Sequence, residues 1–132
     1  MASSLFPTKW ISAAPEIIAA DGSEVRVLCE LPRGAMAMFT LTPGAVSKAV
    51  AHRTVEEVWC VIRGRGRIWR KTGDQEEVTD LAPGLSVAIP TGAHFQFRND
   101  GREPLDIVAA TMPPWPGDGE AYFVDGEWDA RV

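Results

Sequence analysis

Cysteine and histidine are scarce in this chain: only Cys29 and Cys60, far apart and without a Cys-x-x-Cys spacing, and only His52 and His94. That scarcity argues against a zinc framework or a disulfide scaffold, and buried free thiols in a reducing compartment are expected instead. Long apolar runs are missing as well. Nothing is long enough to cross a bilayer, and the start MASSLFPTKWISAAPEIIAADG lacks the charged opening and long apolar stretch of a secretory leader. A cytoplasmic protein with no membrane partner is expected. The formal net charge of -5 comes from interspersed acids and bases with no long basic run, so no nucleic-acid partner is expected. The one basic cluster, Arg63, Arg65, Arg67, Arg70 and Lys71, reads as a solvated hairpin. A glycine-rich phosphate loop, a nucleophile elbow and an HExxH pair are absent too, which removes several enzyme classes.

What is present is period-two alternation. With 132 residues the chain is read as one domain. Short alternating segments recur between turn formers: EVRVLCEL, AMAMFTLT, AVSKAVAH, VEEVWCVIR, GRIWRK, EEVTDL, LSVAI, HFQFR and LDIVAATM. Pro43-Gly44, Gly64-Arg65-Gly66, Thr72-Gly73-Asp74, Pro83-Gly84, Pro90-Thr91-Gly92 and Asp100-Gly101 separate them. The fold class is therefore all-β, a sandwich, jelly roll or small barrel of eight or nine strands, with no room for crossover helices.

Gly44, Val50, His52, Glu57 and Gly64, followed by PGLSVAIPTG over residues 83–92 and then Asn99, resemble in spacing the two motifs of the cupin family. The resemblance covers roughly residues 35–112 and implies a double-stranded β-helix. Residues 1–34 are then an N-terminal strand segment, and residues 113–132 an aromatic and proline-rich tail. Metal-binding cupins usually draw two histidines and a glutamate from the first motif and a third histidine from the second. Here His52 and Glu57 match two of those positions, but Val50 and Phe95 hold the other two. His94 lies one residue before the third position, and a one-residue offset points a strand side chain to the opposite face. The expectation is no cofactor. A divalent transition metal on His52, Glu57 and His94 is the fallback.

The segment VEEVWCVIR puts Val55, Glu57, Trp59 and Val61 on one face and Val58, Cys60 and Ile62 on the other. An inward Glu57 needs a partner, expected to be His52, Arg70 or Gln96. The apolar outward face predicts a homodimer, with cover by Trp10 and Ile11 as the competing arrangement. Phe39, Val50, Trp59, Phe95 and Phe97 are candidate cavity walls, with Gln96 a candidate polar contact. Trp115 arrives with the tail, which is read as a lid over the barrel mouth or a brace outside it, and Glu120 could enter with it. Three functions remain open. The first is a metal-independent isomerase, cyclase or lyase using a His-Glu pair, in which His52, held in orientation by Glu57, is the general acid or base on a small, mostly apolar or cyclic molecule. The others are a metal-dependent oxygenase or isomerase and a non-catalytic module binding a small ligand.

Overall fold

Along Glu56–Arg63, alternation buries Glu57, Trp59 and Val61 and leaves Glu56, Val58, Cys60 and Ile62 exposed. The same logic, repeated in each strand, produces two facing antiparallel sheets. The computed structural model describes residues 5–132. Among them are eleven strands and no helix: β1 (Ile17–Ile18), β2 (Glu24–Leu31), β3 (Gly34–Leu41), β4 (Val50–His52), β5 (Glu56–Arg63), β6 (Gly66–Thr72), β7 (Gln75–Leu81), β8 (Ser86–Ile89), β9 (His94–Asn99), β10 (Leu105–Met112) and β11 (Ala121–Phe123). One sheet has the order β1-β2-β3-β10-β5-β8, the other β11-β4-β9-β6-β7. Inward residues of both meet in a core that includes Trp59, Ile68, Phe95, Phe97, Leu105 and Ile107. Edge-to-face contacts of Trp59 with Phe95 and Phe97, at 5.6 and 5.0 Å between centroids, lock the two sheets together.

Gly64 shows why the turns need glycine. Its φ is +88°, and a Cβ there would sit 2.5 Å from the Pro104 carbonyl oxygen. Any side chain at this position would push apart the β5–β6 turn and the start of β10.

Three local features depart from simple alternation. In β2 a register shift between Val27 and Glu30 puts the exposed Glu30 at the edge of the cavity and leaves Leu31 exposed as well, so the expected face of Val25, Val27, Cys29 and Leu31 breaks at the bulge. The expected strand over residues 45–52 shortens to Val50–His52. Ser47 explains the shortening: its hydroxyl accepts the Phe97 N–H at 3.0 Å, doing the work of a ladder carbonyl. Strands β1 and β11, of two and three residues, are too short for alternation to reveal them.

The basic residues near the β5–β6 hairpin are paired with carboxylates: Arg63 with Glu103 at 3.3 Å, Arg67 with Asp100 at 2.9 Å and Arg70 with Glu77 at 2.9 Å. No disulfide forms among the described residues. Cys60 is exposed rather than buried, because its parity in β5 faces outward. Trp10 is 91% exposed, while Val58 and Ile62 remain 47% and 49% exposed. The N-terminal segment therefore does not cover the outer face of β5.

The tail has two jobs. Residues Trp115 to Gly119 approach the open end of the barrel, and the rest braces the five-stranded sheet. Strand β11 pairs with β4, Val124 donates to the Ala49 carbonyl at 3.1 Å, and Arg131 bridges Val46. No helix among the described residues is long and apolar enough to cross a membrane.

Candidate functional site

At one end of the barrel the two sheets part around a cavity of about 480 Å³. Its walls include Phe39, Val50, Trp59 and Phe95, as alternation in β3, β4, β5 and β9 requires. Residues Ile17 to Asp21 close one side, and Trp115 with Gly117 to Gly119 closes the mouth. Phe97 is fully buried deeper in the core and does not line it.

His52 ends β4 on the same face as Val50. Its ring stands edge-on between Phe95 and Trp115, with centroids at 5.2 and 5.0 Å. The Nδ1 atom is buried without a hydrogen-bond partner. Burial lowers the histidine's pKa, opposed by the negative charge of Glu120 and the Val55 backbone. The neutral imidazole is the favoured form.

Glu57 faces the cavity from β5, opposite Thr111 on β10 and Ile89 on β8. It accepts the Trp59 Nε1–H at 2.9 Å. Burial pushes its pKa up to about 7, outweighing that hydrogen bond, and the charges of Asp21 and Glu120 push the same way. None of the expected partners of Glu57 is the one found. Arg70 donates instead to the Ala88 carbonyl, Glu77 and Thr79. Between His52 and Glu57 there is neither a hydrogen bond nor an ion pair, since β4 and β5 belong to facing sheets. They share one cavity from two walls.

Gln96 is the clearest correction. It points away from the cavity, and its amide is used up: Nε2 donates to the Ser47 and Trp128 carbonyls, both at 2.8 Å, and Oε1 accepts from the Glu127 and Trp128 N–H groups at 3.0 and 2.9 Å. Its parity in β9 is opposite to that of Phe95 and Phe97, so it pins the tail to the outer face.

His94 shares the outward parity of Gln96, stands beside Lys71 on β6 and does not line the cavity. Of the four family ligand positions only two carry donors, His52 and Glu57, with apolar Val50 and Phe95 in the other two, and no group of three or more His, Cys, Asp or Glu residues among those described could hold an ion. These residues do not fit a metal centre of three or four protein ligands.

Thr111 and Asp21 are among the cavity residues that escaped the sequence reading. Thr111 is buried and its hydroxyl has no partner. The alternation of Leu105, Ile107, Ala109 and Thr111 in β10 was the signal that could have found it. Asp21 belongs to an irregular segment in which the Ser23 N–H and hydroxyl both donate to its carboxylate, at 2.9 and 2.7 Å. Burial raises its pKa against those bonds. Glu120, expected as a group that could enter with a lid, anchors the tail instead. It accepts the Thr54 N–H at 2.8 Å, the Thr54 hydroxyl and the Val55 N–H at 3.0 Å.

Residues 37–111 match the family model described as Cupin domain. The chain belongs to the cupin family. Among relatives, vicilin GC72-A of Gossypium hirsutum is 32% identical over 78 residues, 58% of this chain and 13% of the relative. Xanthan biosynthesis protein XanB of Xanthomonas campestris pv. campestris is 28% identical over 82 residues, 62% of this chain and 17% of the relative. This cupin thus spans less than a fifth of either relative. Among solved structures, the capsular polysaccharide assembling protein CapF of Staphylococcus aureus superposes with a TM-score of 0.71 at 20% identity, covering 87% of this chain and 33% of CapF. A conserved protein with a double-stranded β-helix domain from Klebsiella pneumoniae gives 0.65 at 20% identity, over 82% of this chain and 89% of its own. Oxalate decarboxylase of Bacillus subtilis gives 0.67 at 21% identity, over 76% and 28%. At such identities the likeness is one of fold, the double-stranded β-helix.

Proposed function

We propose that this cupin takes a small organic molecule into the barrel cavity and moves a proton on it, without a metal, in an isomerase, cyclase or lyase type of reaction. One observation carries the reading. His52 Nδ1 and Thr111 Oγ1 are buried polar atoms with no partner, and both residues line an otherwise largely apolar cavity. Leaving each unmet costs about 1 to 3 kcal/mol, a cost that a bound ligand's polar groups would remove. The chemistry follows from the protonation states. Burial favours the protonated form of Glu57, raised to about 7, and the neutral form of His52, lowered from its ordinary value. An acid and a base then face the same space from opposite sheets, the arrangement that proton transfer between two positions of one substrate requires.

A small ketone tests this directly. Exchange of the α-protons of cyclohexanone in D₂O, followed by NMR, is expected to be accelerated by the wild-type protein and to fall by about a hundredfold or more in Glu57→Gln. Wild-type acceleration that survives unchanged in both Glu57→Gln and His52→Ala would sink the assignment. The second reading, a non-catalytic binding module, is favoured by the missing His52–Glu57 hydrogen bond. Saturable quenching of tryptophan fluorescence by benzyl alcohol, blocked by the cavity-filling Ala37→Trp, with no ketone exchange would establish it in place of the first.

The proposal extends to assembly and setting. The bare outer face of β5, with Val58 and Ile62 half exposed, supports a homodimer burying roughly 1,000 Å² or more. Light scattering that finds a monomer at high micromolar concentration would refute it. Free Cys29 and Cys60 fit a reducing, cytoplasmic compartment.

A further inference from the structure

The charged groups of the cavity are all of one sign. Asp21, Glu30, Glu57 and Asp118 line it, together with His52, and no lysine or arginine does. Of the basic side chains in the surrounding segments, Arg33 on the β2–β3 turn is exposed and does not line the cavity, and three others have partners. Arg53 donates to the Gly119 carbonyl and lies over Tyr122, Lys48 lies over Phe123, and Arg26 donates to the carbonyls of Ser12 and Ala13. An anionic ligand entering this space would meet carboxylates with no cation to offset them.

The walls add a second, independent feature. Five rings run in an unbroken edge-to-face chain: Phe39 to Trp59 at 5.7 Å, Trp59 to Phe95 at 5.6 Å, Phe95 to His52 at 5.2 Å and His52 to Trp115 at 5.0 Å. Aromatic faces attract a cation, and more strongly where water is excluded. A third feature is polar. The unpartnered Thr111 hydroxyl, on a residue only 4% exposed, can accept an N–H, as can His52 Nδ1 in the tautomer protonated at Nε2.

We infer that the cavity selects a cation, a small organic ammonium compound with an apolar body, over neutral and anionic molecules of the same shape. This rests on the reading of the cavity as a small-molecule site and names the class of molecule it takes. The ammonium group would sit by Glu57 and Thr111, with its apolar body against the aromatic chain. Burial raises Glu57 to about 7, so its carboxylate is ionised above that pH, and the preference fades as falling pH protonates it. Asp21, Glu30 and Asp118 face the same space and His52 gains charge as pH falls, so the change follows the whole cavity.

Benzylamine, benzyl alcohol and benzoate are near-isosteric probes of the three charge states. Titrated against tryptophan fluorescence at pH 8, benzylamine is expected to bind about ten- to a hundredfold more tightly than the alcohol, and benzoate most weakly. At pH 5.5 the amine's advantage should shrink. Glu57→Gln should abolish most of it, so that amine and alcohol bind with nearly equal affinity. Benzoate binding as tightly as benzylamine would overturn the inference, and so would an amine preference unchanged by both Glu57→Gln and the drop in pH. In either case, retained binding of the alcohol would leave the small-molecule site standing. No saturable binding of any probe would overturn both.

Discussion

Gln96 and the polar residues of the cavity are all buried, yet they solve the burial problem in opposite ways. Gln96 has four hydrogen bonds, two donated and two accepted. In the cavity, His52 Nδ1 and Thr111 Oγ1 have none, and Glu57 has one. A satisfied buried group holds a structure together, whereas an unsatisfied one lowers stability and persists for another reason. The contrast separates a brace from a site without any appeal to family, and substitutions can test it.

The largest effect is expected at the brace. Gln96→Ala strands four backbone groups of residues 47, 127 and 128 and should cost about 3 to 5 kcal/mol in urea unfolding. Affinity for a cavity probe should be nearly unchanged in the protein that remains folded. A loss below 1 kcal/mol would remove the distinction between the two regions.

Next comes Glu57, with the opposite sign. Its folded pKa of about 7 lies above the ordinary 4.5, so the native state holds a proton that the unfolded chain releases between those values. Its stabilising contribution is fully present below 4.5 and is lost as pH rises through about 7. Glu57→Gln should therefore gain stability over wild type at pH 8, by on the order of 3 kcal/mol at most, and little at pH 4. Urea titrations at the two pH values check this, and a destabilised variant at pH 8 would contradict it.

Glu120 is a satisfied carboxylate near the same mouth. Burial alone would raise its pKa, but the hydrogen bonds from Thr54 and Val55 and the nearby His52 bring it below the ordinary value. Its contribution is present above 4.5 and lost as pH falls through its folded value, the reverse of Glu57. Glu120→Ala should cost about 1 to 3 kcal/mol at pH 7, with the deficit narrowing toward pH 3 in the same urea assay. A deficit that does not narrow would place its role in packing.

The smallest effect is expected at Thr111. Thr111→Val replaces an unpartnered hydroxyl with a methyl of similar volume and should be neutral or stabilising by less than about 1 kcal/mol. A clear loss of melting temperature would mean that the hydroxyl is bonded in solution, by ordered water for example.

The strands and most cavity walls were legible because alternation has a fixed period. The reading of VEEVWCVIR alone placed Glu57 and Trp59 inward and Val58, Cys60 and Ile62 outward, as found. Gln96 was legible in parity but not in role, since its partners lie about 30 and 50 residues away in the chain. Thr111 could have been found by the same parity rule. Asp21 could not, because an irregular segment has no period to read.

What the sequence determined by itself is the all-β architecture, the turns at its glycines and prolines, and which side of most strands faces in, because these follow from local sterics and a two-residue repeat. What only the tertiary structure decided is which buried polar groups find partners. That question set Glu57 against Trp59 rather than His52, gave Gln96 to the tail, and left His52 and Thr111 unmet. Hydrogen-bond satisfaction depends on distances between residues far apart in the chain, and no local pattern encodes those distances.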